Sequence, residues 1–179
     1  MRATFLILCL LACGAAAAAG GGGKQEGRPR PDLSGTWQID RAKSDFGLFG
    51  DRPLAKADST LVVEHREPEL KIRRTLSLGG REEVKEFAYY TDGRGETNQA
   101  TLGVGEVKSK TRWDGDRVVC EARITRRGQG GPYELEVTQR WQVSAGGKTL
   151  TNTTVIRGKA GGQDDVDEME MKLVYRRAQ

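Results

Sequence analysis

From residue 33 to its end the chain alternates apolar and polar residues in ten short runs separated by turn-forming residues, and no long stretch of helical periodicity interrupts them. The run at 133–143 is the cleanest. Tyr133, Leu135, Val137, Gln139, Trp141 and Val143 fall on one side, with Glu134, Glu136, Thr138, Arg140 and Gln142 on the other. Strict alternation gives a strand one buried face and one wet face. A sheet of this many strands must curl and close to hide its edges. The pattern therefore predicts one all-β domain at 33–179, a closed antiparallel up-and-down β-barrel of about 8–10 strands. Function, on this reading, sits inside the barrel.

Turn residues set the strand limits. Pro68, Gly79-Gly80, Asp114-Gly115-Asp116 and Ala145-Gly146-Gly147 punctuate expected strands at 33–40, 58–66, 69–78, 82–90, 98–102, 106–113, 116–127, 133–143, 148–157 and a last one carrying Met169, Met171, Leu173 and Tyr175 inward. Their sequential order predicts a meander with antiparallel neighbours. The connection at 41–57 is long for a hairpin loop, so it is expected to form a lid with a helical turn, or a plug, with Phe46 and Phe49 near the entrance. The face of the 82–90 strand stays open between Phe87 with Tyr89 and Tyr90.

Beyond its opening segment, a chain of 179 residues has the size of a single domain and needs no disulfide staple. Its 29 basic and 25 acidic residues leave a formal charge of +4. The charges are interspersed: Arg73-Arg74 and Arg126-Arg127 are offset by Glu82-Glu83 and Asp164-Asp165. There is no basic stripe with interleaved aromatics, so a nucleic-acid partner is not expected.

Met1-Arg2 followed by the apolar stretch from Phe5 to Ala12 reads as an export signal, which with the Ala/Gly-rich run makes up residues 1–23, ahead of a linker at 24–32. Two processing routes compete. Leu10-Leu11-Ala12-Cys13 resembles a bacterial lipobox, which implies acylation of Cys13 and a membrane-anchored barrel on a flexible tether. Cleavage within 15–19 would instead release the domain to the periplasm. Either way Cys120 is the one cysteine in the barrel. It shares a face with Val118, Ala122 and Ile124 and reads as a small buried hydrophobe.

Gly35-Thr36-Trp37 resembles the first-strand Gly-x-Trp of lipocalins, whose indole plugs the closed end of the barrel. Arg112-Trp113-Asp114-Gly115-Asp116 and Leu173-Val174-Tyr175-Arg176-Arg177 are similar to the central hairpin and last strand of fatty-acid-binding proteins. With Lys43-Ser44-Asp45-Phe46-Gly47 and Gly147-Lys148-Thr149-Leu150-Thr151, the domain resembles secreted bacterial proteins of lipocalin-like type. The resemblance implies a calycin-type barrel with a cavity for an apolar small molecule. One departure matters. Fatty-acid-binding proteins hold the lipid carboxylate with an Arg two residues before a last-strand Tyr, and here Leu173 precedes Tyr175. A carboxylate would then depend on Arg74 or Arg157 pointing inward.

Catalytic and metal constellations are sparse. His65 is the lone histidine, and no Gly-x-Ser-x-Gly elbow accompanies it. A haem-ligating role competes with that of a core or rim histidine, and the second is favoured. One histidine and one barrel cysteine cannot close a zinc site. Asp164-Asp165-Val166-Asp167-Glu168 lacks the spacing of a calcium loop. Glu82, Glu83 and Glu86 do not form a carboxylate pair, since adjacent strand residues face opposite ways. No cofactor and no enzymatic activity are expected. Trp37 is assigned to the plug. Trp113, Trp141, Gln139, Tyr133, Tyr175 and Arg74 are the expected ligand contacts. The chain thus reads as an exported lipocalin-like barrel binding a small apolar or amphipathic molecule. The alternative is an envelope structural or interaction protein whose barrel is filled with side chains.

Overall fold

The alternating runs become strands because pairing hides their backbone polar groups while every second side chain turns inward. The structure, a computed structural model, describes residues 30–100, 105–128, 131–159 and 166–178. Its strands are β1 (Gly35–Ile39), β2 (Asp58–Arg66), β3 (Glu69–Leu78), β4 (Arg81–Tyr90), β5 (Glu96–Gln99), β6 (Glu106–Asp114), β7 (Arg117–Gly128), β8 (Gly131–Val143), β9 (Thr149–Lys159) and β10 (Val166–Arg177). All belong to one sheet ordered β4-β3-β2-β1-β10-β9-β8-β7-β6-β5. Every neighbouring pair is antiparallel, and β1 joins the last strand to the first hairpin. The expected meander is the observed one. The fifth strand is shifted, starting at Glu96 rather than Asn98. The segment at 1–23 with Cys13, most of the 24–32 linker, and Asp164-Asp165 lie outside the described residues.

The hairpins follow turn chemistry. Leu78 pairs with Arg81 around Gly79 and Gly80, which both have positive φ, as a two-residue turn matched to strand twist requires.

The ends of the sheet order, β4 and β5, meet at a seam without a backbone ladder. Side chains lace it instead. Asn98 on β5 accepts from the Ala88 amide and donates to the Ala88 carbonyl, both at 2.8 Å, so its side-chain amide imitates a strand. The Tyr90 amide donates to a Glu96 carboxylate oxygen at 3.3 Å, and Lys85 Nζ to the Ala100 carbonyl at 3.1 Å.

One end of the barrel is filled. Leu33, Trp37, Leu70, Thr111, Val118 and Leu150 are each at most 1% exposed there. Burying an indole removes about 200 Å² from water, gross stabilisation of about 5 kcal/mol before ordering entropy. Trp37 also spends its N–H, donating to the Leu33 carbonyl at 3.0 Å. The Arg177 guanidinium lies over the Trp37 ring at 4.2 Å and donates to the Ser34 carbonyl at 2.8 Å. Gly35 makes room: a Cβ there would come within 2.3 Å of Arg177 Nη1.

The long connection forms two 3-10 turns, Arg41–Lys43 and Gly47–Phe49, and the short α1 (Pro53–Lys56). It has the expected helical turns and is tied to the barrel wall. Asp45 exchanges two 2.7 Å backbone hydrogen bonds with Lys172, so the segment runs along β10 beyond the end of β1. Gly47 is held at φ +52°, where a Cβ would strike the Glu170 carbonyl at 2.2 Å.

Candidate functional site

Away from the filled end the inward side chains no longer meet, and they line a partly open cavity of about 300 Å³. That is the lower end of the range for small-molecule sites. β8 lays out its wall. Val143 belongs to the core beneath it, then Trp141, Gln139, Val137, Leu135 and Tyr133 climb the cavity in two-residue steps. β10 supplies Tyr175, Leu173, Met171 and Met169 in the same manner, and β9 supplies Asn152, Thr154 and Ile156. Phe49 contributes from the segment along β10. The wall is mostly apolar, and among the described residues no Asp or Glu lines it.

Five of the six residues singled out from the sequence line this cavity: Arg74, Tyr133, Gln139, Trp141 and Tyr175. Trp113 is not among the residues that line it. It lies at the far side of the filled end, where its indole N–H donates to Glu67 Oε1 at 2.6 Å and the Arg30 guanidinium sits over its ring at 5.4 Å. The alternation of β6 places Trp113 on the inward face, but two positions beyond Thr111, which is already below the cavity floor.

The open question on β4 resolves to Phe87 and Tyr89 inward, with Tyr90 outside under Arg94 at 4.9 Å. Arg74 faces the cavity, whereas Arg157 is exposed and paired with Glu168 at 2.7 Å. Arg74 is 8% exposed, and its guanidinium carbon stands 5.5 Å from the Phe87 ring centroid. Burial pulls its pKa below the ordinary arginine value, against the opposing influence of Tyr175, Glu83 and Tyr89. Burial also raises the Tyr89 and Tyr175 phenols and the Cys120 thiol, so all three stay protonated at neutral pH.

His65 belongs to the filled end too. Its side chain is 5% exposed, Nδ1 accepts from the Leu33 amide at 3.4 Å, and Nε2 donates to Glu67 Oε1 at 2.8 Å. Both ring nitrogens are engaged away from the cavity, which places the histidine in the end plate and not at a ligand. Glu67 collects this cluster: its other oxygen accepts from Thr91 Oγ1 at 2.7 Å. Burial pushes the Glu67 carboxyl up, but the donors from Thr91, His65 and Trp113 outweigh that and leave it below the usual carboxylate range. No sequence signal marks Glu67 as their common acceptor.

Two cavity features also escape the sequence. Asn98 serves the seam and lines the cavity at once. The Trp141 Nε1 and Asn152 Nδ2 donors are buried without an acceptor among the described residues. Alternation identifies inward residues but not which of their polar atoms find partners.

No family model and no curated protein matches the chain. Solved structures do. A REP1-NXSQ fatty acid transporter is similar over 83% of this chain and 97% of its own, with a TM-score of 0.52 and 14% identity. Secretory abundant heat soluble protein 4 from Ramazzottius varieornatus is similar over 82% of this chain and 94% of its own, at a TM-score of 0.53 and 15% identity. Another secretory abundant heat soluble protein of that organism gives 0.52 and 13%, over 82% and 95% of the two chains. At these identities the likeness is one of backbone architecture alone, and the fold it shows is a lipocalin-like β-barrel.

Proposed function

We propose that the barrel binds a small apolar or amphipathic molecule in its cavity. The observation that carries this reading is the partly open cavity of about 300 Å³ with a mostly apolar wall, set beside a closely buried end of the same barrel. Packing at ordinary protein density leaves few voids larger than a water molecule, so a space of this size calls for an explanation other than stability. The alternative, a barrel acting only through its surface, leaves that space without a role. The transporter among the similar structures, a fatty acid carrier by its description, agrees in kind with the proposal. Binding rather than catalysis is proposed, since among the described residues the cavity lining itself includes no carboxylate or histidine, and the nearby Glu96 is already bonded to the Ser109 and Thr111 hydroxyls.

Export is part of the proposal, resting on the basic-then-apolar opening at 1–23, with the periplasm or a membrane surface as destination. Native mass spectrometry of the full chain purified from its own host tests the ligand. A retained small-molecule adduct, displaced by the fluorophore N-phenyl-1-naphthylamine, is the expected result. A bare mass together with no fluorophore binding would overturn it. Palmitate labelling of wild type and Cys13→Ser tests the anchor, which is lost from the proposal if labelling is absent or identical in the two.

A further inference from the structure

Trp141 and Asn152 are partners in the β8–β9 register, so their inward side chains stand face to face across adjacent strands, about 5 Å apart at Cβ. They are 8% and 4% exposed and both line the cavity. Thr154 Oγ1 donates to Asn152 Oδ1 at 3.1 Å, which fixes the amide and leaves its NH₂ as the unspent end. Neither that NH₂ nor the Trp141 indole N–H has an acceptor among the described residues. The position of the pair is as telling as its chemistry. One inward step further along β8 and β9 are Val143 and Leu150, which are buried and do not line the cavity. The two donors therefore mark the floor of the cavity. The next rung, Gln139 and Thr154, is polar, and above it Val137, Leu135, Tyr133, Ile156 and Met169 are apolar or aromatic.

We infer that Trp141 Nε1 and Asn152 Nδ2 form a two-donor seat for an oxygen acceptor of the ligand, which enters polar end first. This rests on the proposed binding function and adds the ligand class: an amphipathic molecule with an aliphatic or aromatic body and a terminal carbonyl or carboxylate. Donors in a buried site reward an acceptor and penalise its absence, because the alternative is an unmade hydrogen bond out of reach of bulk water. The Arg74 guanidinium stands in the same wall, where its positive charge attracts the anionic form.

The test uses the full chain and three probes of one length: undecane, 2-undecanone and undecanoic acid, each displacing N-phenyl-1-naphthylamine. Displacement by undecane reports on the cavity alone. The ketone and the acid are expected to bind at least roughly tenfold more tightly than undecane. Trp141→Phe and Asn152→Leu, which preserve bulk, are each expected to remove most of that advantage, read as the ratio of headed-probe to undecane affinity in the same variant. In amide spectra of the ¹⁵N-labelled protein, either headed probe should move the Trp141 indole proton downfield and leave those of Trp37 and Trp113 in place. Arg74→Met separates the two oxygen classes: loss of the acid's margin over the ketone assigns the seat to a carboxylate, and an unchanged margin to a carbonyl. If the fluorophore and undecane bind but headed probes gain nothing, water satisfies the pair and the seat is refuted while the binding function stands. If nothing displaces the fluorophore, or it never binds, both fall.

Discussion

The two ends of the barrel interior hold similar residues and treat them differently. At the filled end the Trp37 and Trp113 indoles each donate a hydrogen bond, to Leu33 and Glu67, and His65 has both ring nitrogens engaged. In the cavity the Trp141 indole does not. An unmade buried hydrogen bond costs about 1–3 kcal/mol, so the difference is not neutral for the fold. It teaches that the molecule separates its tasks by height: stability resides where polar groups are paired off, and the region above keeps donors in reserve.

The largest effect that would test this division is Trp37→Ala, expected to destabilise the protein by about 3–5 kcal/mol in urea unfolding. A loss under about 1 kcal/mol would mean the filled end does not carry the fold. Next comes the seam, which belongs to neither end. Asn98→Ala removes both bonds to Ala88, and amide exchange at Ala88 should quicken roughly fivefold, equivalent to about 1 kcal/mol of local stability. Unaltered exchange would show that the two edges hold together without it.

A sharper comparison sets one indole against another. Trp37→Phe leaves the Leu33 carbonyl without its donor and is expected to cost about 1 kcal/mol more than Trp141→Phe, which abandons no partner. Equal losses in chemical unfolding would erase the distinction between the ends. The smallest effect is on pH. The folded Glu67 carboxyl titrates below its ordinary value, so its contribution is complete above about pH 4.3 and is lost as pH falls through the folded value. Glu67→Gln should flatten that acid limb of the stability curve, and an unchanged limb would assign it to other carboxylates, such as Asp32, whose pKa hydrogen bonds from Ser34 also lower.

Alternation made the barrel legible, because period-two patterning is a direct print of which side of a sheet each residue occupies. It placed Arg74, Tyr133, Gln139, Trp141 and Tyr175 on the wall where the structure has them. It does not tell Trp113 from them, because period tells inside from outside but carries no coordinate along the barrel axis, and Trp113 stands outside the lining. The shift of β5 has a related origin. Glu96–Gln99 is polar throughout, since its edge is bonded by side chains and needs no apolar signature. Pairings such as Glu67 with Trp113 join residues 46 positions apart and leave no local trace.

The seam has a consequence for how such a protein diversifies. A backbone ladder is indifferent to the side chains it carries, so most joints of this cylinder are out of reach of a single codon change. The joint between β4 and β5 is spelled by the side chains of Asn98, Glu96 and Lys85. Here alone among the described joints, substitution of a side chain acts directly on how two strands are held, with every backbone pairing kept.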